Sequence, residues 1–206
     1  MLADNAVTVD GLATAFAGSK PLTVLVECDT GAGRCGVQTP AAALELALRI
    51  AASPALRFGG LLTYPRAHGE AATEAFFAAA LAALKANGIA CPIVSSGGTP
   101  SLFSAHLVPS ATEHRAGTYV YNDRSMVRAG HCRLDDCAMH ILATVVSRPT
   151  PDRAILDAGS KALTSDLLGF TDFGLIVEYP DAAITSLSEE HATVDLARVA
   201  GRRPEI

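Results

Sequence analysis

The 206 residues carry 21 aspartates and glutamates against 16 lysines and arginines, a formal charge of −5, and half of them are apolar. That composition excludes a disordered chain and supports a sizeable core, and the scattered, net-negative charge argues against nucleic acid or an anionic membrane as partner and for a small molecule. The five cysteines are odd in number and lack CxxC spacing, so neither a disulfide framework nor a zinc ribbon is expected.

Residues 10–18 read as the end of a helix, and "PLTVLVEC" (21–28) as a parallel strand buried on both faces. A helix follows over 40–53, with Pro40 in its first turn. "RFGGLLTY" (57–64) predicts the next strand, and 70–87 an alanine-rich helix stopped by Asn87-Gly88. "CPIVSSGG" (91–98) is the third strand, followed by a short helix from Thr99 to His106. Alternation at this spacing implies βαβ units and a parallel sheet, in a barrel or a doubly wound arrangement. Past residue 117 the period changes. "TYVYND", "MHILATVVSRP", "RAILDAG" and "FGLIVEYPD" read as strands without crossover helices, hence an antiparallel β module. The boundary falls near residue 130, giving domains 1–130 and 131–206. No leader and no run of about 18 apolar residues is present, so a cytoplasmic location is expected.

Ligands of open α/β sheets and barrels bind at the carboxyl ends of the strands, where three loops follow here. In "SSGGTPS" (95–101) the N–H groups of Gly97, Gly98 and Thr99, at a helix start, can seat a phosphate, with the Thr99 and Ser101 hydroxyls able to add bonds. An ordinary capped glycine turn is the alternative. "ECDTGAGRCGV" (27–37) offers Arg34 to a phenolate or carboxylate, or to an ion pair with Glu27 or Asp29. "LTYPRAHGE" (62–70) contributes Tyr64 and His68. His131, Cys132, Cys137 and His140 fit no familiar zinc spacing, and no metal site is assigned.

Six segments in this order, "VECDTGAGRCGV", "GLLTYP", "VSSGGTPS", "TEHRAGTYVYND", "VSRPTPDRAILDAGSKALTSD" and "LSEEHATVDL", resemble the D-threonine aldolase and D-serine dehydratase-like family of pyridoxal phosphate enzymes. The resemblance implies the alanine racemase-like fold, a (β/α)8 TIM-type barrel followed by a β domain. It also implies pyridoxal 5′-phosphate as cofactor. Gly98 and Thr99, in the loop opened by Gly97, would hold the phosphate, Tyr64 would lie beside it, and Arg34 would contact the ring oxygen. Tyr119 and Tyr121 would fall near the pyridine ring, with packing at the domain junction as their alternative. His191 would be a loop residue. The implied activity is a lyase reaction on a small D-β-hydroxy amino acid, assisted by a divalent metal, in a protein that is a homodimer when intact. A racemase on the same scaffold and a noncatalytic pyridoxal phosphate- or phosphate-binding fragment are the alternatives.

The chain departs from the family pattern in two places. The Schiff-base lysine of such enzymes sits on an early barrel strand, and the lysines here are Lys20, Lys85 and Lys161, of which Lys161 alone has a route toward a site and reads as an ion-pair residue, with an aldimine lysine as the alternative. The family's metal-binding segment lies beyond the "SEEH" stretch and is not reached. Eight βα units alone need about 200–250 residues, so the sequence reads as an internal piece with a partial barrel and a shortened β domain. No catalytic residue is assigned.

Overall fold

The computed structural model describes residues Met1–Ile206 and divides into two compact units, Met1–Val120 and Tyr121–Ile206, where the sequence reading draws the line near residue 130. In the first unit, strands β1 (Leu2–Ala3), β2 (Leu22–Cys28), β3 (Leu56–Thr63), β4 (Ile93–Ser96) and β5 (Glu113–His114) form one parallel sheet in the order 1-2-3-4-5. A doubly wound sheet reverses its strand order at a switch point, and this one does not. The sequential order is that of consecutive barrel units, in a sheet that does not close on itself.

Each crossover helix is set by local chemistry. Asn5 accepts from the Thr8 N–H to start α1 (Ala6–Ala15), and Thr39 accepts from the Ala42 N–H, with Pro40 behind it, to start α2 (Pro40–Ala52). Helix α3 (Glu70–Ala86) ends at Asn87-Gly88. All three pack their buried residues with one face of the sheet; Val24, Val26 and Cys28 of β2 join Ile50, Phe77 and Leu84 in that core. Alternate residues Thr23, Leu25 and Glu27 are only half-buried, so β2 is not enclosed on both faces as its apolar run suggests. The helices cover one side of an open sheet, and apolar content alone cannot report that.

Gly59 and Gly60 form a bulge in β3: Phe58 pairs with Val24 and Gly60 with the next residue, Leu25, so the register shifts by one there. Gly60 has φ +136°, and a side chain on it would place Cβ 1.8 Å from the Ile93 carbonyl oxygen of β4. No other residue permits β3 and β4 to approach so closely.

In the second unit β6 (Val145–Thr150), β7 (Arg153–Leu156), β8 (Ala183–Leu187) and β9 (Ala192–Asp195) form an antiparallel sheet ordered 6-7-9-8, around Ala154, Ile184, Ala192, Val194 and Leu196. Two expected strands are absent. "TYVYND" forms a 3-10 turn (Thr118–Val120) and then the cap of a short helix, α4 (Arg124–Arg128), because Asp123 accepts from the Ser125 and Met126 N–H groups. "FGLIVEYPD" is irregular, and the strands that close the sheet are the less apolar "AITSL" and "ATVD". No helix is long and apolar enough to cross a membrane.

Replacing Gly60 by alanine combines a disfavoured φ with a backbone clash, and is expected to cost roughly 2–5 kcal/mol. Urea unfolding of Gly60→Ala should show a lowered midpoint; an unchanged one would contradict the close β3–β4 approach.

Candidate functional site

Parallel pairing lines up the carboxyl ends of the strands: Cys28 opposite Thr63, Leu62 beside Ser95, and Ser96 beside His114. The loop leaving β2 is anchored from below by a buried chain of hydroxyls. The Thr63 Oγ1–H donates to the Cys28 carbonyl at 2.7 Å, so Thr63 can only accept from Thr30 at 3.0 Å, and Thr30 in turn accepts from Thr73 of α3 at 3.0 Å. The loop then returns, since Val37 donates to the Glu27 carbonyl and accepts from the Asp29 N–H. Asp29 Oδ1 takes the Gly31 and Gly33 N–H groups, and these bonds, the Gly31 one foremost, hold its carboxyl below the usual range.

Arg34 is therefore left without an ion pair to Glu27 or Asp29, and its guanidinium carbon lies over the Tyr64 ring, 4.8 Å from the centroid. Tyr64 in turn lies against Gly98, where an added Cβ would stand 3.0 Å from the ring. Gly97 has φ +102°, and an added Cβ there would fall 2.3 Å from the imidazole of His114. Gly98 is extended and precedes a 3-10 helix, Thr99–Leu107, with Pro100 in its first turn. The N–H groups of Gly98 and Thr99 find no acceptor in the protein. Beside them is a cavity of about 230 Å³ bounded by Ala32, Tyr64, Arg66, Gly98 and Ser101. Free N–H donors at a helix start, beside a cavity, suit a tetrahedral oxyanion.

The structure thus brings Arg34, Tyr64, Gly97, Gly98 and Thr99 together. Thr99 is used differently from expectation: its buried Oγ1 accepts from the Gly117 and Tyr119 N–H groups, both at 3.2 Å, which ties down the segment carrying Tyr119 and leaves only the hydroxyl proton to give. The Ser101 hydroxyl donates to the Gly98 carbonyl at 3.2 Å and so has no proton left for an anion. The Tyr119 side chain is 52% exposed, and Tyr121 belongs to the second unit. His68 lies outside the cluster, exposed and with φ +58°.

Sequence reasoning missed His114 and Arg115. Arg115 donates to the Ser95 hydroxyl, to the Ser96 carbonyl at 3.3 Å and to the Thr63 carbonyl at 2.8 Å, clasping the ends of β3 and β4, while Ser95 donates to Glu113. Burial pulls the Arg115 pKa down, against the opposing charges of Glu113 and Glu27. No signal in the sequence marks them, because "EHR" is a two-residue strand and the residue after it, too short to show a period.

Lys20 lies in the turn before β2, Lys85 in the last turn of α3, and Lys161 donates to Glu190 at 2.7 Å and pairs with Glu189 at 3.3 Å. No three histidine, cysteine, aspartate or glutamate side chains converge where they could hold a metal ion.

Residues 4–125 match the family model described as "Alanine racemase, N-terminal domain", which is more than half of the chain. The chain belongs to the alanine racemase N-terminal domain family. In this member residues 138–206 also match a putative serine dehydratase domain. D-Threonine aldolase from Arthrobacter sp is 35% identical over 93% of this chain and 53% of its own length, and 3-hydroxy-D-aspartate aldolase from Paracoccus denitrificans (strain Pd 1222) is 34% identical over 84% and 49%. The structure of D-threo-3-hydroxyaspartate dehydratase from Delftia sp. HT23 superposes with a TM-score of 0.82 at 27% identity, covering 98% of this chain and 60% of that one. The chain spans about half the length of the relatives it matches. The relatives named for an activity include D-threonine aldolase, D-threo-3-hydroxyaspartate dehydratase, 3-hydroxy-D-aspartate aldolase and D-serine dehydratase, which supports a D-hydroxy-amino-acid lyase family.

Cys28, at the floor of the site, is buried, and burial first, then the Cys91 and Glu27 charges, push its thiol from 9.0 up to about 12. The folded chain holds this proton more tightly than the unfolded one, so the stabilisation present below pH 9 is lost as pH rises toward 12. The stability difference between the wild type and Cys28→Ala is expected to shrink with a limiting slope of about 1.4 kcal/mol per pH unit in that window. Urea titrations at a series of alkaline pH values measure it, and a pH-independent difference would refute the shift.

Proposed function

We propose that an N-terminal domain running to about residue 130, and so containing the whole first unit, is the cofactor-binding part of a pyridoxal 5′-phosphate-dependent lyase that acts on D-β-hydroxy amino acids by aldol cleavage or dehydration. The observation that carries this reading is the Gly97-Gly98-Thr99 turn, with two unmet N–H donors at a helix start beside a cavity lined by Gly98 and Tyr64. In this reading the Gly98 and Thr99 N–H groups and the Thr99 hydroxyl proton hold the phosphate, and Tyr64 walls it. Arg34, always protonated, holds the ring oxygen. The Tyr119 backbone, fixed by Thr99, closes the far side of the turn. Bound cofactor supplies an electron sink for the substrate's α-carbon. The chain's own residues bind, orient and screen; no proton transfer is assigned to any of them, and no step to a metal. The D-hydroxy substrate is supported by relatives that act on D-threonine and on D-configured 3-hydroxyaspartate.

A noncatalytic binder of pyridoxal phosphate is the second reading. It is favoured by the lysines: Lys20 and Lys85 are exposed, and Lys161 is held by two glutamates.

Calorimetric titration tests both. Pyridoxal 5′-phosphate is expected to bind at least about tenfold more tightly than pyridoxal, with orthophosphate competing, and Gly98→Val to remove that preference. Equal affinities for the two vitamers would sink the phosphate seat. A visible absorbance band that survives dialysis and is lost in Lys161→Ala would favour the lyase reading for this chain, whereas tight binding without such a band supports the binder.

A further inference from the structure

His114 reaches the Gly97-Gly98 turn from β5, whereas Tyr64 reaches it from β3. Its ring occupies the space where a Gly97 side chain would stand, so the two residues can coexist only because position 97 has no Cβ. Its Nε2 is 3.1 Å from the Gly98 carbonyl oxygen. A carbonyl only accepts, so Nε2 carries the proton and donates. The same oxygen accepts from the Ser101 N–H at 3.1 Å and the Ser101 hydroxyl at 3.2 Å. Those two bonds lie within the first turn of the 3-10 helix; His114 supplies the bond that comes from the sheet.

The orientation of that carbonyl decides where a neighbouring donor points. All peptide bonds are trans, and in a trans peptide the C=O of one residue and the N–H of the next face opposite ways. Fixing the Gly98 oxygen toward His114 fixes the Thr99 N–H, a donor with no protein acceptor, on the other side.

We propose that His114 is a positioning residue for the anion seat: its Nε2–H holds the Gly98–Thr99 peptide in the orientation that presents the Thr99 N–H to a phosphate. The inference rests on the reading of this turn as the cofactor's phosphate site. It concerns the phosphate alone, so its signature is a change in the preference for phosphorylated over unphosphorylated ligand and not a general loss of binding.

The experiment compares wild type, His114→Leu and His114→Gln by calorimetry with pyridoxal 5′-phosphate, pyridoxal and orthophosphate, with thermal melts followed by circular dichroism as a check on folding. His114→Leu removes the donor, and His114→Gln keeps an N–H group at similar reach. The leucine variant should bind pyridoxal 5′-phosphate and orthophosphate about tenfold more weakly with pyridoxal unchanged, and glutamine should restore most of the loss. If the leucine variant does not fold, His114→Phe, which keeps a flat ring against Gly97, makes the same comparison. Unchanged phosphate affinity, or an equal loss for pyridoxal, would overturn the positioning role. A wild type that does not distinguish pyridoxal 5′-phosphate from pyridoxal would overturn the phosphate-site reading instead, before any variant is considered.

Discussion

A line of three buried hydroxyls, Thr73 to Thr30 to Thr63 and on to the Cys28 carbonyl, is the interaction on which the mouth of the sheet depends. Its direction is fixed at the far end, because a carbonyl cannot donate, and each hydroxyl then has one role left. It joins helix α3, the loop after β2 and the last residues of β2 and β3. Interrupting it in the middle strands a buried donor or acceptor, at a cost of about 1–3 kcal/mol, which exceeds the net worth of a typical hydrogen bond. The loop carrying Arg34 can make its glycine-rich excursion and return at Val37 because its root is held this way.

Parallel order does the rest of the gathering. Arg34, Tyr64, the Gly97-Gly98-Thr99 turn and His114 come from four successive loops and strands, yet each stands next to its neighbour, because every crossover returns the chain to the same edge in the next position. The contacts form a row: guanidinium on phenol ring, ring on Gly98, imidazole on Gly97. Side chains at 97 or 98 would break the row at its centre. The paired glycines serve this packing as much as the backbone freedom of the turn.

Much of this was legible in the residues. Helices α2 and α3 were readable from Pro40, Asn87-Gly88 and their apolar spacing, and strands β2 to β4 from short apolar runs that alternate with those helices. The strands β1 and β5 were not, because two residues carry no periodicity and pair only through neighbours that are already in place. In the second unit hydropathy misled: "FGLIVEYPD" is apolar enough for a strand but irregular, while "AITSL" and "ATVD" pair because β7 offers β9 a ladder of four residues. The same limit hid His114 and Arg115. Their roles come from long-range contacts to β3 and β4 and not from anything in the segment "EHR" itself. Thr99 was identified, but which of its lone pairs were free was not, since the Gly117 and Tyr119 donors approach only in the fold.

Under the proposed reading of the turn, net charge accounts for an anion seat built from peptide dipoles. The chain carries a net −5, and two of the three arginines at the mouth already have partners, the third, Arg66, bounding the cavity. Arg115 serves the strand ends and is balanced by Glu113 and Glu27, and Arg34 lies on the Tyr64 face. An approaching dianion therefore meets a repulsive far field, but beyond about 8 Å at physiological ionic strength that field is screened. Oriented N–H groups act within hydrogen-bond distance, where screening is weak, and their strength depends on how accurately they are aimed. A seat of this kind discriminates by shape and donor direction and not by total charge, so it tolerates an acidic protein around it but does not tolerate a loose peptide.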